Sequence, residues 1–404
     1  MERYAIAVKP DTKLLDEYLY GKSFFLTSPK HTLLAEGVFA KVPVNEDVDQ
    51  MEALPQRVET VLTNAKNSGY SSPVVVGAVP FHPARSPHLI VPETVRWSGP
   101  LSFASEPLQQ TPDYSFDIRE VPKSTEFKRG VERALNQFKS DNNLCKVVLS
   151  RSLELTTKAK VNIHHLLRHL AANNTDGYTF AVDLPPFESV YEKPDSQRTT
   201  LIGATPELLV SKSGLQVVAN PLAGSAARCE NSIEDQKRGE DLLSSAKDRH
   251  EHAVVVSAVK DALGPFCKSI DVPDKPSLLK TSTMWHLSTE IKGEIADPTI
   301  SSVDLATALH PTPAVCGSPT ELARKTIAEI EPFDRQFYTG MVGWCNDYGD
   351  GEWVVTIRCA KVSDRLLHLY AGAGIVEDSR AEDELAETSA KFKTMLHALG
   401  LGNI

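Results

Sequence analysis

The 404-residue sequence lacks the patterns that identify several large classes of protein. Its six cysteines include no C-x-x-C pair, so a disulfide framework and a cysteine zinc site are not predicted, and we expect reduced thiols. No apolar run approaches the roughly 20 residues that span a bilayer. The first residues also lack the basic, apolar and small-residue order of a signal peptide. We therefore expect a cytoplasmic protein that has no membrane partner.

The sequence also has no basic run. Its 43 Lys and Arg residues against 53 Asp and Glu residues give a formal net charge of −10, which argues against a nucleic-acid partner. An anionic ligand would need a local cation, either a metal ion or a small group of Lys and Arg side chains. Hydrophobic residues make up 41% of the chain and charged residues 24%, as in ordinary globular proteins.

Strand and helix patterns alternate along the chain without an internal repeat or a clear linker, so a single domain over residues 1–404 is predicted. A hairpin is expected around Ser28-Pro29-Lys30, and a helix over about 48–67 precedes a strand over 73–79. The proline-rich residues 81–122 are interpreted as surface connection. Another helix is predicted from Ser124, with Phe127, Val131, Leu135 and Phe138 on one face.

Polar chemistry is densest in residues 353–391. Alternating apolar residues predict strands there, followed by a glycine turn at Ala371–Gly374 and then a helix. Glu384, Glu387 and Lys391 fall at positions i, i+3 and i+7, on one helical face. That face is either solvated or part of a site.

Two charged residues upstream lie next to apolar strands. Lys146 lies at the start of the apolar run 145–155, directly after Cys145. A lysine on a strand edge is usually a solvated gatekeeper, but the neighbouring valines favour a stem packed beside a sheet. Glu207 lies between a tight turn and a strand. It is either exposed or partly buried, and burial would raise its pKa and make it a proton donor near neutral pH.

Residues 220–228 predict a bend, in which Gly224 lets a ligand approach the backbone and Ser225 offers a hydroxyl. No phosphate loop is indicated, because G-K-S/T does not follow. The next segment, 235–256, predicts one long helix carrying Glu251. Its H-E-H is not the H-E-x-x-H of zinc proteases. If Glu251 meets Glu387, two carboxylates from separate helices suit magnesium better than zinc.

Together these segments resemble the chorismate-utilising enzymes, and among them the isochorismate synthases of the siderophore (2,3-dihydroxybenzoate) type. The matching segments occur in family order between about Ser124 and His397; they are KVVLSR, GATPELL, NPLAGSA, KDRHEH, WHLST, LHPTPAVCG, EPFDR, GEWVVTIRCA, AGAGIV and E-x-x-E-T-x-x-K. Residues 1–123 match loosely and are expected to be the variable N-terminal part of the same fold, with residues 124–397 as the catalytic part.

The resemblance implies an α+β fold, with large, mostly antiparallel sheets in a layered core flanked by helices. It also implies a Mg²⁺-dependent, reversible isomerisation of chorismate, in which water adds at C2 and the C4 hydroxyl leaves. Lys146 would activate the water, Glu207 would protonate the leaving hydroxyl, and Glu251 and Glu387 would hold the metal. Residues expected to contact the substrate are Gly224, Ser225, Ala314, Arg358, Gly372 and Lys391.

Alternatives within the family are judged by residue. The amine-transferring relatives look different at Lys146, and Ala223 stands where some aminodeoxychorismate synthases carry a nucleophilic lysine. A salicylate synthase, which would also eliminate pyruvate, is less well matched by the segments HPTPAVCG, EPFDR and VGWC. A menaquinone-pathway isochorismate synthase and an inactive chorismate-binding protein stay open. Cys229-Glu230 departs from the family pattern, because relatives often carry more basic residues there, but this difference affects no assigned residue. We expect the protein to be a monomer.

Overall fold

A computed structural model describes residues 12–44, 49–103, 114–140, 143–184 and 198–402. The strands are β1 (Ser23–Thr27), β2 (Thr32–Glu36), β3 (Ala40–Lys41), β4 (Val74–Val79), β5 (His88–Val91), β6 (Thr94–Ser98), β7 (Phe116–Val121), β8 (Lys146–Thr157), β9 (Tyr178–Leu184), β10 (Thr199–Thr205), β11 (Leu208–Ser213), β12 (Gln216–Asn220), β13 (Leu222–Ala227), β14 (Cys267–Asp271), β15 (Ser277–Lys280), β16 (Met284–Ser288), β17 (Ile291–Ile295), β18 (Gly317–Ser318), β19 (Met341–Asn346), β20 (Gly351–Val355), β21 (Cys359–Ser363) and β22 (Leu366–Ile375). The α-helices are α1 (Lys13–Asp16), α2 (Leu54–Asn67), α3 (Ser124–Ser140), α4 (Ile163–Ala172), α5 (Ser232–Ser244), α6 (Ala246–Leu263), α7 (Ser302–Leu309), α8 (Thr320–Ile330) and α9 (Ala381–Ala398).

Two large antiparallel sheets form the centre of the molecule. The first has the order β18-β8-β22-β21-β10-β9-β1-β2-β6, with β7 also paired to β8, and the second has the order β14-β17-β12-β11-β20-β19-β4-β5-β3. A small third sheet, β13-β16-β15, lies beside them. Every strand pairing in the described ranges is antiparallel. The predicted α+β class is therefore confirmed.

The apolar side chains divide this architecture into layers. One buried cluster joins side chains of both large sheets, among them Phe24, Phe180 and Val342, and so lies between the sheets. The outer face of the first sheet packs on α1, α4 and α9, and the outer face of the second on α2, α6 and α7. The core strands are rich in β-branched residues and buried on both faces, as in the VVVGAV of β4. Helices thus flank a two-sheet core.

Local predictions succeeded where the pattern was strong. The hairpin around residues 28–30 is formed by β1 and β2, which pair with Phe25 opposite Leu34. The helix at Ser124 is α3, in which Phe127, Val131 and Phe138 are buried. The helix expected from residue 48 begins at Leu54.

Several predicted connections are regular structure. The glycine turn at Ala371–Gly374 is wrong, because β22 runs through these residues and pairs with β8 along its length. The long helix over 235–256 is two helices, α5 and α6, separated at Ser245, whose hydroxyl caps α6 by accepting from Asp248 N. The bend at 220–228 is mostly strand β13, and the supposed surface connection contains β5, β6 and β7.

The N-terminal strands belong to the same sheets as the motif-bearing strands. β1 pairs with β9 in the first sheet, and β4 pairs with β19 in the second. The division of one domain into parts 1–123 and 124–397 stays a prediction. The stretch 183–198 is rich in proline and polar residues and is predicted to be a loop, but most of it lies outside the described residues.

Candidate active site

The structure brings the predicted site residues together in one cleft at the end of the first sheet. Including its mouth, the cleft encloses about 620 Å³. Nine of the ten residues line it, and they are Glu207, Gly224, Ser225, Glu251, Ala314, Arg358, Gly372, Glu387 and Lys391. The tenth, Lys146, does not line the cleft but contacts Glu251, which does.

Lys146 is the first residue of β8, and its side chain is fully buried. The strand has neighbours on both sides at this end, since Lys146 lies opposite Ser318 of β18 and Val147 pairs with Ile375 of β22. Its Nζ is 2.9 Å from Glu251 Oε1. The solvated-gatekeeper interpretation is therefore wrong, and the packed alternative is confirmed.

A glycine makes room for this ion pair. A Cβ built at Gly374 would lie 2.1 Å from Glu251 Oε1 and 3.0 Å from Lys146 Cε. No side chain fits there without displacing the carboxylate, because real Cβ contacts do not come so close. The glycine-rich part of β22 thus provides space rather than a turn.

Glu207 occupies the connection between β10 and β11, where Pro206 ends the first strand. Its backbone is held on both sides: its N–H donates to Thr205 Oγ1, and its carbonyl accepts from Val355 N. The residue is 2% exposed. Burial raises the pKa of Glu207 to about 7, against the opposing effect of nearby groups that include Lys146. A carboxyl group in this environment is a competent proton donor near neutral pH.

Helices α6 and α9 bring acidic side chains to the opposite wall, and each of three carboxylates pairs with a different lysine. Besides the pair at Lys146, Glu387 accepts from Lys391 Nζ, and Glu384 Oε1 lies 2.8 Å from Lys247 Nζ. Burial, and then the charge of Glu387, raise the pKa of Glu384 to about 7.

The pKa values of Glu387 and Asp248 are shifted in opposite directions by their neighbours. Burial acts to raise the pKa of Glu387, but Lys391 and Ser225 outweigh it and hold that pKa below the usual value. Burial also raises the pKa of Asp248, one turn before Glu251, and the charges of Glu251 and Glu387 add to this effect. The acidic groups of this wall are therefore close enough to raise one another's pKa, and the paired lysines offset part of their charge.

These residues fit a magnesium ion. Within the described parts of the chain, no group of three or more His, Cys, Asp or Glu side chains is placed to enclose a metal. Magnesium is commonly held by one or two carboxylates and completes its shell with water and substrate oxygens. Two carboxylates facing an open cleft match that mode, whereas a closed zinc site would need more protein ligands.

Two cationic groups, Arg358 and Lys391, also line the cleft. Arg358 has a positive φ of 49° between β20 and β21 and directs Nη2 to His286 Nε2 at 3.2 Å. Burial lowers the pKa of Arg358 to about 10, so the guanidinium stays charged at neutral pH. Lys391 Nζ donates to Gly372 O at 2.8 Å. Both cations can meet a carboxylate in the cleft.

Close backbone packing explains the small residues of the site. A Cβ at Gly372 would lie 2.7 Å from Ser150 Oγ and 2.9 Å from the Tyr338 hydroxyl. Gly224 has a φ of +77° at an irregularity in β13, which leaves Ser225 facing the cleft. A side chain at either glycine would occupy space needed for a ligand or a neighbour.

Sequence reasoning missed several residues of the cleft. His286 and Tyr338 line it, and Lys247 with Asp248 stands at its acidic wall. Lys247 and Asp248 lie within the KDRHEH segment and could have been found from Glu251, one helical turn away. Tyr338 had no local signal, since only the packing of its turn against β8 brings it to the site.

This fold and this cleft define a chorismate binding enzyme: the family model described by those words matches residues 96–400, and the chain belongs to that family. The sequence is 56% identical to isochorismate synthase DhbC of Bacillus subtilis over 391 residues, which cover 97% of this chain and 96% of that protein. It is 41% identical to the vibriobactin-specific isochorismate synthase of Vibrio cholerae, with coverage of 96% and 94%.

Two solved structures have the same fold as this chain. The DhbC of Bacillus anthracis, assigned as a 2,3-dihydroxybenzoate-specific isochorismate synthase, superposes with a TM-score of 0.89 at 52% identity and covers 96% of this chain and 99% of its own. Anthranilate synthase component I of Streptococcus pneumoniae shares the fold, with a TM-score of 0.68 at 20% identity and coverage of 91% and 92%.

Proposed function

We propose that this protein is an isochorismate synthase that interconverts chorismate and isochorismate with Mg²⁺ and feeds 2,3-dihydroxybenzoate siderophore synthesis. The observation that carries the proposal is a cleft lined by buried Glu207, two cations and two carboxylates, one of which, Glu251, is paired with buried Lys146. The identity to isochorismate synthases over nearly the whole chain supports it.

The reaction exchanges one hydroxyl position for another, so it needs a base and an acid. In its neutral amine form, Lys146 removes a proton from a water molecule while the oxygen of that water bonds to C2 of chorismate, which leaves Lys146 as the ammonium beside Glu251. The ring double bond shifts, the C4–O bond breaks, and Glu207 donates its proton to the departing hydroxyl. Water is consumed and released, and the reverse reaction needs each group in the opposite role.

Binding places the dianionic substrate between charged walls. Arg358 and Lys391 hold carboxylate oxygens, and Gly224, Ser225, Ala314 and Gly372 line the surface against which the substrate lies. Glu251 and Glu387 are the residues that would hold magnesium, which when bound neutralises the ring carboxylate and fixes its orientation. Effective proton transfer depends on this orientation.

The direct test is incubation of the purified protein with chorismate and Mg²⁺, followed by separation and identification of the products. A chorismate and isochorismate mixture that stops at equilibrium is expected. Salicylate plus pyruvate would assign the protein to the lyase branch, and unchanged chorismate would contradict an enzymatic role. The variants Lys146→Ala and Glu207→Gln should lose turnover. Glu382→Gln on α9, whose side chain is 69% exposed, is the matched control.

Two accompanying predictions await their own tests. None of the helices in the described ranges is long and apolar enough to cross a membrane, and a cytoplasmic location stays a prediction. A monomeric state likewise stays a prediction, and sedimentation analysis would test it.

A further inference from the structure

A buried ion pair outside the cleft joins segments that form its wall. Glu331 follows α8 and Arg335 lies in the turn before β19, and each side chain is 2% exposed. Arg335 Nε donates to Glu331 Oε2 at 2.8 Å, and Nη2 donates to Oε1. The acid–base steps described above do not use either residue.

The pair connects β8 to the loop that precedes β18. Arg335 Nη2 donates to Val148 O at 2.7 Å, and Nη1 donates to Val315 O at 2.8 Å. On the other side, Glu331 Oε1 accepts from Ser150 N at 2.8 Å. Because these bonds end on backbone atoms, they set the separation of two chain segments rather than of two side chains.

Both segments carry groups of the proposed reaction. Val148 follows Lys146 by two residues in β8, so the two side chains point to the same face of the strand. Ala314 and Val315 line the cleft, as does Val148. The loop also pairs with the start of β8, where Gly317 lies opposite Val147.

We propose that Glu331 and Arg335 are positioning residues, which hold the strand that carries Lys146 at a defined distance from the substrate-contacting loop at Ala314. This inference rests on the proposed function, because it concerns the geometry of that reaction. A displacement of about 1 Å between a reacting group and its substrate costs on the order of a hundredfold in rate.

The guanidinium shape is essential to this role. Arg335 also donates from Nη1 to Thr339 Oγ1 at 3.3 Å, and its guanidinium carbon lies 4.7 Å from the centre of the Phe81 ring. A lysine would keep the charge, but one ammonium cannot make the bidentate contact and reach both carbonyls. Replacing a buried ion pair with apolar residues is often neutral or stabilising. A contribution to stability is therefore a weak explanation for the presence of Glu331 and Arg335.

The test compares Arg335→Lys and Glu331→Gln with the wild-type protein, at a temperature well below the Tm of each variant. We expect kcat to fall about 10- to 100-fold and to change more than KM, because the bound substrate meets a displaced Lys146. Arg85→Lys is the control: Arg85 is 49% exposed and pairs with Asp334 in the same turn, and its kcat and KM should match the wild type.

Folded Arg335→Lys protein with kcat and KM within about twofold of the wild type would overturn the positioning role and leave the proposed function standing. If Arg335→Lys does not fold, Glu331→Gln decides by the same criterion, because glutamine keeps the volume and an acceptor for Ser150 N. Wild-type protein that leaves chorismate unchanged would instead overturn the proposed function and this inference with it.

Discussion

Lys146 Nζ and Glu251 Oε1 lie 2.9 Å apart, with the lysine fully buried and the carboxylate 10% exposed. Lys146 is the proposed base and Glu251 a proposed metal ligand, so this contact directly couples the group that transfers the proton to a group that binds the metal. A buried charge that loses its partner is costly. Changes to either residue are therefore expected to affect both functions.

The metal assignment predicts that Glu251→Gln and Glu387→Gln abolish turnover and also abolish magnesium binding. An amide oxygen keeps the shape but lacks the charge that holds a hard cation. The measurement is the rise in Tm on adding Mg²⁺ with and without chorismate, since a ligand that binds only the folded state stabilises it. Glu382→Gln should keep the wild-type rise. An undiminished rise in both cleft variants would remove these residues from the metal site.

The acid assignment predicts that Glu207→Gln lowers kcat by about a hundred to ten thousand fold while chorismate still binds. In the wild type, kcat/KM for the forward reaction should fall as pH rises through about 7, where Glu207 of the free protein loses its proton. Measurement of kcat/KM between pH 5 and 9 and of chorismate affinity by calorimetry would check this. Retention of wild-type kcat in Glu207→Gln would exclude the residue as the acid.

The same residue predicts a pH-dependent stability. Because burial raises the pKa of Glu207 from 4.5 to about 7, the folded state binds its proton more tightly than the unfolded state does. The contribution of Glu207 to stability therefore declines between about pH 4.5 and 7, and above this range its ionised form costs about 3 kcal/mol. Glu207→Gln should match the wild type in denaturant unfolding at pH 4 and be more stable at pH 8. Equal stability at pH 8 would contradict the raised pKa.

The space at Gly374 predicts that Gly374→Ala inactivates the protein. The added methyl group would overlap Glu251 Oε1 at 2.1 Å and push the carboxylate away from Lys146. Activity and the Mg²⁺-dependent rise in Tm should both be lost. Gly264→Ala is the control, because no atom lies within 4 Å of a Cβ there. Wild-type activity in Gly374→Ala would show that the pair tolerates displacement.

The break between α5 and α6 predicts a local stability effect. Ser245 Oγ accepts from Asp248 N at 3.2 Å, and removal of such a cap typically costs about 1 kcal/mol. Ser245→Ala should lower the free energy of unfolding by about that amount, whereas Ser245→Asp should retain it. Urea denaturation of the three proteins measures the difference. No loss in Ser245→Ala would show that the cap is dispensable.

The sequence by itself determined much of the site and many of the elements. The spacing of Glu384, Glu387 and Lys391 put them on one helical face, and in the structure Glu387 and Lys391 line the cleft while Glu384 is buried beside Lys247. The ordered motifs indicated the family and the antiparallel fold. These signals are local, because helix and strand periods depend only on residues a few positions apart.

Only the tertiary structure decided which segments become neighbours. Lys146 is buried because β18 and β22 flank β8, and Gly372 and Gly374 lie in a strand because β8 pairs with them. These pairings join β8 to strands that lie far from it in the sequence, as with Val147 and Gly317. No local sequence pattern identifies such a partner. The role proposed for Glu331 and Arg335 depends on the same long-range packing, since their bonds end on backbone atoms of distant segments.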